Sequence, residues 1–264
     1  MRTHARVVVI GGGIVGCSVL YHLTRMGWSD VVLLERDELT SGSTWHAAGN
    51  CPNFSTSFNV MKLQAYSNWL YRRLPEEVDA AIGHRACGSI RLAHTADRMR
   101  EFRHVAEMAA VQGLAFEILT PAAMRERHPF LETHDVIGGL WDPDDGDIDP
   151  SQVTQALAKG ARDGGAAIYR HHPVRAIERT ASGEWRIATA DGAITCATLV
   201  NAAGYRARGV GRMVGLDLPV VSLQHQYLVT EAIPEIEANR RLLPLVRDPD
   251  ISWYLRQERA GLLL

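Results

Sequence analysis

The hydrophobic pattern of residues 6–34 predicts a strand, a helix and a second strand. Residues 6–10 form a short β-branched run that is typical of a buried parallel strand. From about residue 14 to 25 the apolar positions share one helical face, and Gly27 is placed to end the helix. Residues 31–34 are apolar without a break and predict a second buried strand. The pattern therefore predicts a βαβ unit.

Beyond this unit, strand and helix no longer alternate in a simple way. Helical patterns cover residues 60–74 and 97–112, and residues 88–93 between them predict a strand. Ser151 is expected to cap another helix, which Gly164 and the next glycine end. The apolar runs that follow are short and separated by turns, at residues 166–169, 174–178, 185–189 and 198–200. Residues 220–230 alternate like a strand, and residues 255–264 predict a hairpin that stops within its second strand.

Three glycines between the first strand and the helix carry the first chemical signal. Gly11, Gly13 and Gly16 occupy the G-x-G-x-x-G positions, which suit a tight turn, close approach of a pyrophosphate and close helix packing. Glu35 follows the second strand at the distance of a ribose-binding carboxylate, and a carboxylate there disfavours NADP. The alternative is a glycine-rich turn with no ligand. The order of strand, glycines, helix, strand and acid favours a dinucleotide.

Composition points to no particular class of partner. The chain has 264 residues, 46% of them hydrophobic and 22% charged, with a formal net charge of -2. This ordinary globular usage gives no argument for nucleic acid or an acidic membrane surface as partner. No apolar run approaches the roughly 20 residues needed to span a bilayer, and the first strand leaves no room for a signal peptide. We therefore expect a cytoplasmic protein.

No metal site is expected. The 4 cysteines contain no C-x-x-C pair and are interpreted as reduced, mostly buried residues. The aspartate-rich residues 141–150 resemble a calcium loop only superficially, because the glutamate that ends an EF-hand loop is absent.

A second glycine-containing segment follows the run at residues 198–200. Asn201, Ala202, Ala203 and Gly204 suggest another close approach of backbone to ligand. A return to the nucleotide after a long excursion is typical of a two-domain flavoenzyme, whereas an NAD domain completes its sheet through regular βαβ repeats. An NAD-dependent dehydrogenase remains an alternative, and it predicts no flavin absorbance.

These segments, together with the stretch Ser-Thr-Trp-His-Ala-Ala-Gly at residues 43–49, resemble the D-amino-acid-oxidase-type FAD superfamily. Within it the chain is most similar to the dimethylglycine and sarcosine dehydrogenases and oxidases, over essentially its whole length. The resemblance implies an α/β (α+β) fold, with a Rossmann-like FAD-binding βαβ domain and an interleaved antiparallel-sheet substrate domain. The expected FAD-binding parts are residues 1–88 and 146–215. The expected substrate-domain parts are residues 89–145 and 216–264, the latter incomplete, so the chain is expected to be truncated at its C-terminus.

The resemblance also assigns cofactor contacts. It implies that His46 is joined covalently to the flavin, the alternative being a polar residue of the pyrophosphate loop with no such bond. Trp45 would pack on the isoalloxazine edge, Glu35 would bind the ribose and Arg36 would lie on the adenosine side. Val174 would contact adenine through its backbone. The remaining expected contacts surround the pyrophosphate, the loop and the ribityl chain: Gly11, Gly12, Gly13, Ile14, Val15, Gly16, Ser41, Gly42, Ser43, Thr44, Ala48, Gly49, Ala203 and Gly204.

His225 and Tyr254 match the positions that line the substrate pocket in the related enzymes. Only a neutral amine has the lone pair needed for hydride loss, and a histidine can influence that proton near neutral pH. Tyr254 would position the amine or the carboxylate, with Tyr227 as the alternative, and His225 could instead be a hydrogen-bonded core residue. Arg256 is one candidate for a carboxylate clamp among the 28 basic residues.

The expected function is FAD-dependent demethylation of an N-methylated glycine by hydride transfer. The first alternative is a flavin-binding fragment or subunit without activity alone, and a further alternative is a non-covalent FAD amino-acid oxidase. The expected electron acceptor is oxygen or an electron-transfer protein. Tetrahydrofolate is expected only if the full protein carries a further C-terminal domain.

Overall fold

A computed structural model describes residues 1–264. Its strands are β1 His4–Ile10, β2 Val31–Leu34, β3 Ser89–Ala93, β4 Glu117–Leu119, β5 Gly138–Asp142, β6 Ala167–Tyr169, β7 Ala176–Arg179, β8 Trp185–Thr189, β9 Gly192–Asn201, β10 Leu245–Asp248, β11 Trp253–Glu258 and β12 Gly261–Leu263. Its α-helices are α1 Ile14–Arg25, α2 Phe58–Val78, α3 Ala96–Val111, α4 Pro121–Arg127, α5 Pro150–Asp163, α6 Ala207–Arg212 and α7 Pro234–Ala238. A 3₁₀ turn covers Gly204–Arg206.

The chain forms two compact units, and each is made of separate segments. The first comprises Met1–Ala47, Arg73–Gly83 and Asp149–Gln224. The second comprises Ala48–Arg72, His84–Ile148 and His225–Leu264. The domain boundaries expected from the sequence stay a prediction beside this division.

The first unit contains a mixed sheet in the order β6-β2-β1-β9-β8-β7. Strands β1, β2, β6 and β9 run parallel, with Val7 opposite Val31 on one side and opposite Thr198 on the other. Strands β7 and β8 extend the sheet by antiparallel pairing. A cluster of buried residues from these strands forms part of the core: Ala5, Val8, Val32, Leu34, Ile187, Ile194 and Cys196. Burial on both faces explains why β1 and β2 are continuous apolar runs.

Helix α5 begins two residues earlier than predicted from the sequence. The cap is Asp149, not Ser151, because the Asp149 carboxylate accepts the N–H groups of Ser151 and Gln152 at 2.9 Å each. Pro150 then occupies the first helical position, where its missing N–H costs nothing. The end of α5 at Gly164 agrees with the prediction.

The second unit contains a sheet in the order β12-β11-β10-β3-β5-β4. All neighbours pair antiparallel except β10 and β3. One face of this sheet packs on Met124 of α4 in an apolar cluster that includes Ile90, Leu92, Val246, Trp253 and Leu255. On the other face, Ala93 and Leu140 pack with Met99 and Phe102 of α3. Together the two sheets confirm the expected mixed α/β class.

The strand expected over residues 220–230 is wrong for most of its length. Backbone hydrogen bonds join only Leu228 and Thr230 to β12 and Leu264, and residues 220–227 have no strand partner. Alternating polarity gives a segment two different faces, but a strand also needs a neighbour for its N–H and C=O groups. The hairpin of β11 and β12 forms as expected.

The 4 cysteines are free thiols, and Cys17, Cys51 and Cys196 are buried. Burial raises the pKa of the Cys17 thiol to about 12, so it is protonated at neutral pH. None of the helices combines the length and apolarity required to cross a membrane.

Candidate cofactor-binding site

The turn between β1 and α1 can be built only with glycine at two positions. Gly11 has φ of +114°, and a Cβ there would lie 2.4 Å from the carbonyl oxygen of Ala202. A Cβ on Gly16 would lie 1.9 Å from the carbonyl oxygen of Gly11. The backbone of α1 therefore lies directly against the turn, as a dinucleotide-binding glycine motif requires.

The end of β9 closes on the same turn. The N–H of Ala202 donates to the carbonyl oxygen of Ile10 at 2.9 Å. The Asn201 side chain holds the following bend, since its Nδ2 donates to Ala207 O at 2.8 Å and its Oδ1 accepts the N–H of Ala203. Gly204 follows with φ of +55° and open space around its Cα. Ala203 and Gly204 thus lie on a bend anchored beside Gly11.

Glu35 is tied into the glycine turn. Its carboxylate is 8% exposed and accepts the N–H of Gly12 at 2.6 Å and the N–H of Asp37 at 2.8 Å. Each carboxylate oxygen keeps a further lone pair, so the group can also accept a ribose hydroxyl. Arg36 pairs with the Asp37 carboxylate on the surface at 3.0 Å.

The loop before residue 48 is fastened to the N-terminus of α1. Thr44 is buried, and its Oγ1 accepts the N–H of Ile14 at 3.1 Å. The N–H of Thr40 donates to Gly12 O at 3.0 Å, and Thr40 itself has φ of +73°. No acidic residue lies in the first turn of α1, which suits an anion at the helix N-terminus. Ser41, Ser43 and Val15 are exposed around this end, and Gly42 is half-buried.

His46 and Trp45 stand out from that loop. Both are exposed, and their ring centroids lie 3.7 Å apart with an interplanar angle of 34°. Exposure leaves the imidazole accessible to a partner outside the chain. Ala48 and Gly49 come next and belong to the second unit, where Gly49 O accepts the N–H of Ile148.

Val174 lies two residues before β7 and packs its side chain against the core of the first unit. Its neighbour Arg175 donates its N–H to Ala188 O at 2.9 Å. The strand expected over residues 174–178 therefore begins later, at Ala176.

The two expected substrate residues are in the second unit. His225 is exposed on the segment that lacks strand pairing, and no hydrogen bond of the structure involves it. Tyr254 is half-buried in β11, directly opposite Arg247 of β10. Tyr227 is exposed, and Arg256 pairs with Glu258 at 2.7 Å. No hydrogen bond or ion pair joins these four residues.

Two residues beside the glycine turn were not among the expected cofactor contacts. Asn201 and Ala202 shape the bend after β9 and close it on Gly11. A strand that ends in a polar residue followed by small residues was the available signal. This pattern singled out the segment 201–204, but only Ala203 and Gly204 were assigned as cofactor contacts.

The glycine turn, the acid-free helix N-terminus and Glu35 define a dinucleotide-binding protein of the two-domain α/β type. The acid-free N-terminus of α1 suits a pyrophosphate, and the free lone pairs of Glu35 suit a ribose hydroxyl. The chain belongs to the DAO family of FAD-dependent oxidoreductases, whose family model matches residues 6–264. Membership in an FAD family overturns the alternative of an NAD-dependent dehydrogenase.

Two curated relatives are similar to the chain over nearly its whole length. Mitochondrial dimethylglycine dehydrogenase of Rattus norvegicus is 46% identical over 264 residues, which is 99% of this chain and 31% of that protein. Mitochondrial sarcosine dehydrogenase of Homo sapiens is 38% identical over 264 residues, 98% of this chain and 28% of that protein. The chain thus spans about a third or less of the length of these relatives.

Among solved structures, L-proline dehydrogenase from P. horikoshii superposes with a TM-score of 0.88. The match covers 100% of this chain and 70% of that protein at 24% sequence identity, and it shows the fold.

Proposed function

We propose that this chain is the FAD-binding portion, with part of the substrate domain, of an enzyme that oxidatively demethylates dimethylglycine or sarcosine. The observation that carries the proposal is 46% identity to a dimethylglycine dehydrogenase across 99% of the chain. When bound, FAD supplies the oxidant that accepts a hydride from the N-methyl carbon. Water then adds to the substrate iminium, and formaldehyde and the demethylated amine leave. Oxygen or an electron-transfer protein is the proposed final acceptor.

Residues in and around the glycine turn have proposed roles in binding the cofactor. Backbone N–H groups at the start of α1 bind the pyrophosphate, and Glu35 binds a ribose hydroxyl. The anchored bend at Ala203 and Gly204 borders the ribityl chain. The supporting geometry is the close backbone packing at Gly11 and Gly16.

His46 is proposed to hold the flavin covalently. Two hydrogen bonds support this role, because they fix the loop that carries it: Thr40 N to Gly12 O, and Ile14 N to Thr44 Oγ1. A fixed loop holds the imidazole in one region relative to the pyrophosphate site. The ring is exposed, which leaves a nitrogen free to form the bond.

His225 and Tyr254 are proposed to act on the substrate. His225 would take or stabilise the proton that leaves the substrate ammonium, because only the neutral amine can release hydride. Tyr254 would orient the amine or the carboxylate by its hydroxyl. Both side chains are at least partly accessible in the second unit.

Acid precipitation of the purified flavoprotein tests the covalent bond. We expect yellow colour and an intact mass increased by FAD to stay with the wild-type protein. His46→Ala should release the flavin to the supernatant, whereas Trp45→Phe should retain it. Release of the flavin from the wild-type protein would refute the covalent bond, but it would leave the proposal of FAD binding intact.

Anaerobic bleaching by dimethylglycine and by sarcosine tests the reaction. A flavin that bleaches with either amine and releases formaldehyde supports the proposal, and the ratio of the two rates identifies the substrate. If neither amine bleaches the protein, the chain is a flavin-binding portion that has no activity alone. The cytoplasmic location expected above also stays a proposal, which cell fractionation would test.

A further inference from the structure

Three side chains form a row across neighbouring strands of the second unit. Arg91 of β3 lies directly opposite Arg247 of β10, and Arg247 lies directly opposite Tyr254 of β11. Residues opposite one another in register project to the same face of a sheet. The apolar cluster around Val246 and Trp253 contains the alternate residues and occupies the other face. Two guanidinium groups and a phenol therefore share one face.

The buried guanidinium of Arg91 has no hydrogen-bond or ion-pair partner. The residue is 8% exposed, and its guanidinium carbon lies 4.1 Å from the centroid of the Phe54 ring. No hydrogen bond or ion pair of the structure involves the side chain of Arg91, and its Nε is buried with no acceptor. A guanidinium has five N–H donors and normally fills them when buried. The Phe54 ring provides a stacking surface but no hydrogen-bond acceptor in its plane.

The nearby acids form their hydrogen bonds with other donors. Asp145 accepts from Ser89 Oγ at 2.5 Å and from Gly146 N at 2.7 Å. Asp142 accepts from the backbone and side-chain nitrogens of Asn53, at 3.2 Å each, and from Asp144 N at 3.1 Å. Neither carboxylate forms a hydrogen bond with Arg91.

Arg247 is only loosely engaged. Its Nη2 lies 3.4 Å from both oxygens of Asp145, and its Nε is buried without an acceptor. Burial, and then the neighbouring charge of Arg247, lower the pKa of Arg91 to about 9. The charges of Asp145, Asp142 and Glu101 act in the opposite direction. What both guanidiniums lack is a hydrogen-bond acceptor at the buried Nε, which a carboxylate ligand would supply.

We propose that Arg91 and Arg247 form a carboxylate-binding subsite that holds the carboxylate of the amino-acid substrate next to Tyr254. A carboxylate matches the planar fork of a guanidinium in a bidentate arrangement. This assignment rests on the proposed function for its substrate. It differs from the expected clamp Arg256, whose ion pair with Glu258 at 2.7 Å is shorter than the 3.4 Å ion pair of Arg247 with Asp145.

Binding of 3-methylbutanoate to the flavin-loaded protein tests the subsite. This acid has the shape of dimethylglycine with carbon in place of nitrogen, so it binds without being oxidised. By calorimetry we expect the wild type to bind it, and we expect Arg91→Gln and Arg247→Gln each to weaken binding roughly 10- to 100-fold, the loss typical of a hydrogen bond to a charged group. Arg127→Gln is the matched control, because Arg127 lies over the Trp141 ring and pairs with Glu117.

Competition with dimethylglycine tests whether the bound acid occupies the site of the substrate carboxylate. We expect 3-methylbutanoate to compete with dimethylglycine in flavin bleaching, and the arginine variants to weaken dimethylglycine but not its neutral amide. Folded arginine variants that bind the acid like the wild type, a wild type that does not bind it, or binding without competition would overturn the proposal. If the acid binds through both arginines but dimethylglycine causes no bleaching, the proposed function fails while the carboxylate site stands.

Discussion

The Glu35 carboxylate accepts the backbone N–H of Gly12 at 2.6 Å, across the turn that joins β1 to α1. The same carboxylate accepts Asp37 N at 2.8 Å. A single buried acid thus fixes the backbone of the glycine turn and the chain after β2, in addition to its proposed contact with ribose. Its role in the apo protein can be separated from its role toward the cofactor.

Glu35→Ala should destabilise the protein even without flavin. The substitution removes the acceptor of two buried or half-buried backbone N–H groups, and hydrogen bonds to charged groups contribute about 1.5–3 kcal/mol each. We expect the free energy of unfolding of the apo protein in urea to fall by about 2 kcal/mol or more, and the flavin content to fall with it. Glu38→Gln is the control, since Glu38 forms exposed ion pairs with Arg170 and His171. Equal stability of Glu35→Ala and the wild type would contradict the structural role.

Gly16→Ala should be far more harmful than an alanine at another helical glycine. A Cβ on Gly16 would lie 1.9 Å from Gly11 O, so α1 would have to move away from the turn. Overpacking of this kind typically costs about 1–3 kcal/mol, and we expect flavin binding to be lost. Gly209 in α6 is the matched control: a Cβ there meets nothing within 4 Å, and Gly209→Ala should be neutral or stabilise by up to about 1 kcal/mol. Urea unfolding and flavin absorbance measure both effects.

The elements nearest the glycine turn could be predicted from the sequence because several local signals agree there. The observed α1 runs from Ile14 to Arg25, as expected, since glycines fix its start and Gly27 follows its end. Segments with fewer signals were predicted less well. The short β4 and α4 were not expected. The alternating pattern of residues 220–230 predicted a strand, but most of this segment has no neighbouring strand with which to pair.

The arginine pair could not be found from the sequence. Arg91 and Arg247 are far apart in the chain, and only the parallel register of β3 and β10 brings them opposite one another. Nor does sequence spacing reveal which guanidinium already has a carboxylate partner. Arg256 looks as suitable as Arg91 in the sequence, but only Arg256 has a carboxylate partner in the structure.

Protonation of His94 should contribute stability to the second unit in mild acid. His94 Nε2 lies 2.7 Å from Oδ2 of Asp248, which is 1% exposed, and this hydrogen bond raises the pKa of His94 above its usual range. A raised histidine pKa contributes stability that is complete below the unfolded pKa of about 6.5 and is lost as pH rises through the folded value. We expect the contribution of this pair to the Tm to be smaller at about pH 8.5 than at about pH 6.

His94→Gln should remove part of that pH dependence. The measurement is the difference in Tm between the two pH values, compared for the variant and the wild type. His104→Gln is the control, because His104 is exposed on α3. A His94→Gln protein whose Tm changes with pH as much as the wild type would show that the pair does not couple protonation to folding.

Arg91→Met should stabilise the protein while it abolishes carboxylate binding. Methionine has a similar reach and can pack on Phe54, and it removes a buried charge that no acceptor compensates. We expect the free energy of unfolding in urea, without ligand, to rise by roughly 1–3 kcal/mol, because replacing buried ionic groups by apolar ones is often stabilising. Arg127→Met should bring no such gain, since Arg127 is paired with Glu117 at 2.8 Å near the surface. Opposite effects on stability and binding are the signature of a residue retained for a ligand. A loss of stability in Arg91→Met would instead assign Arg91 to the packing of the sheet.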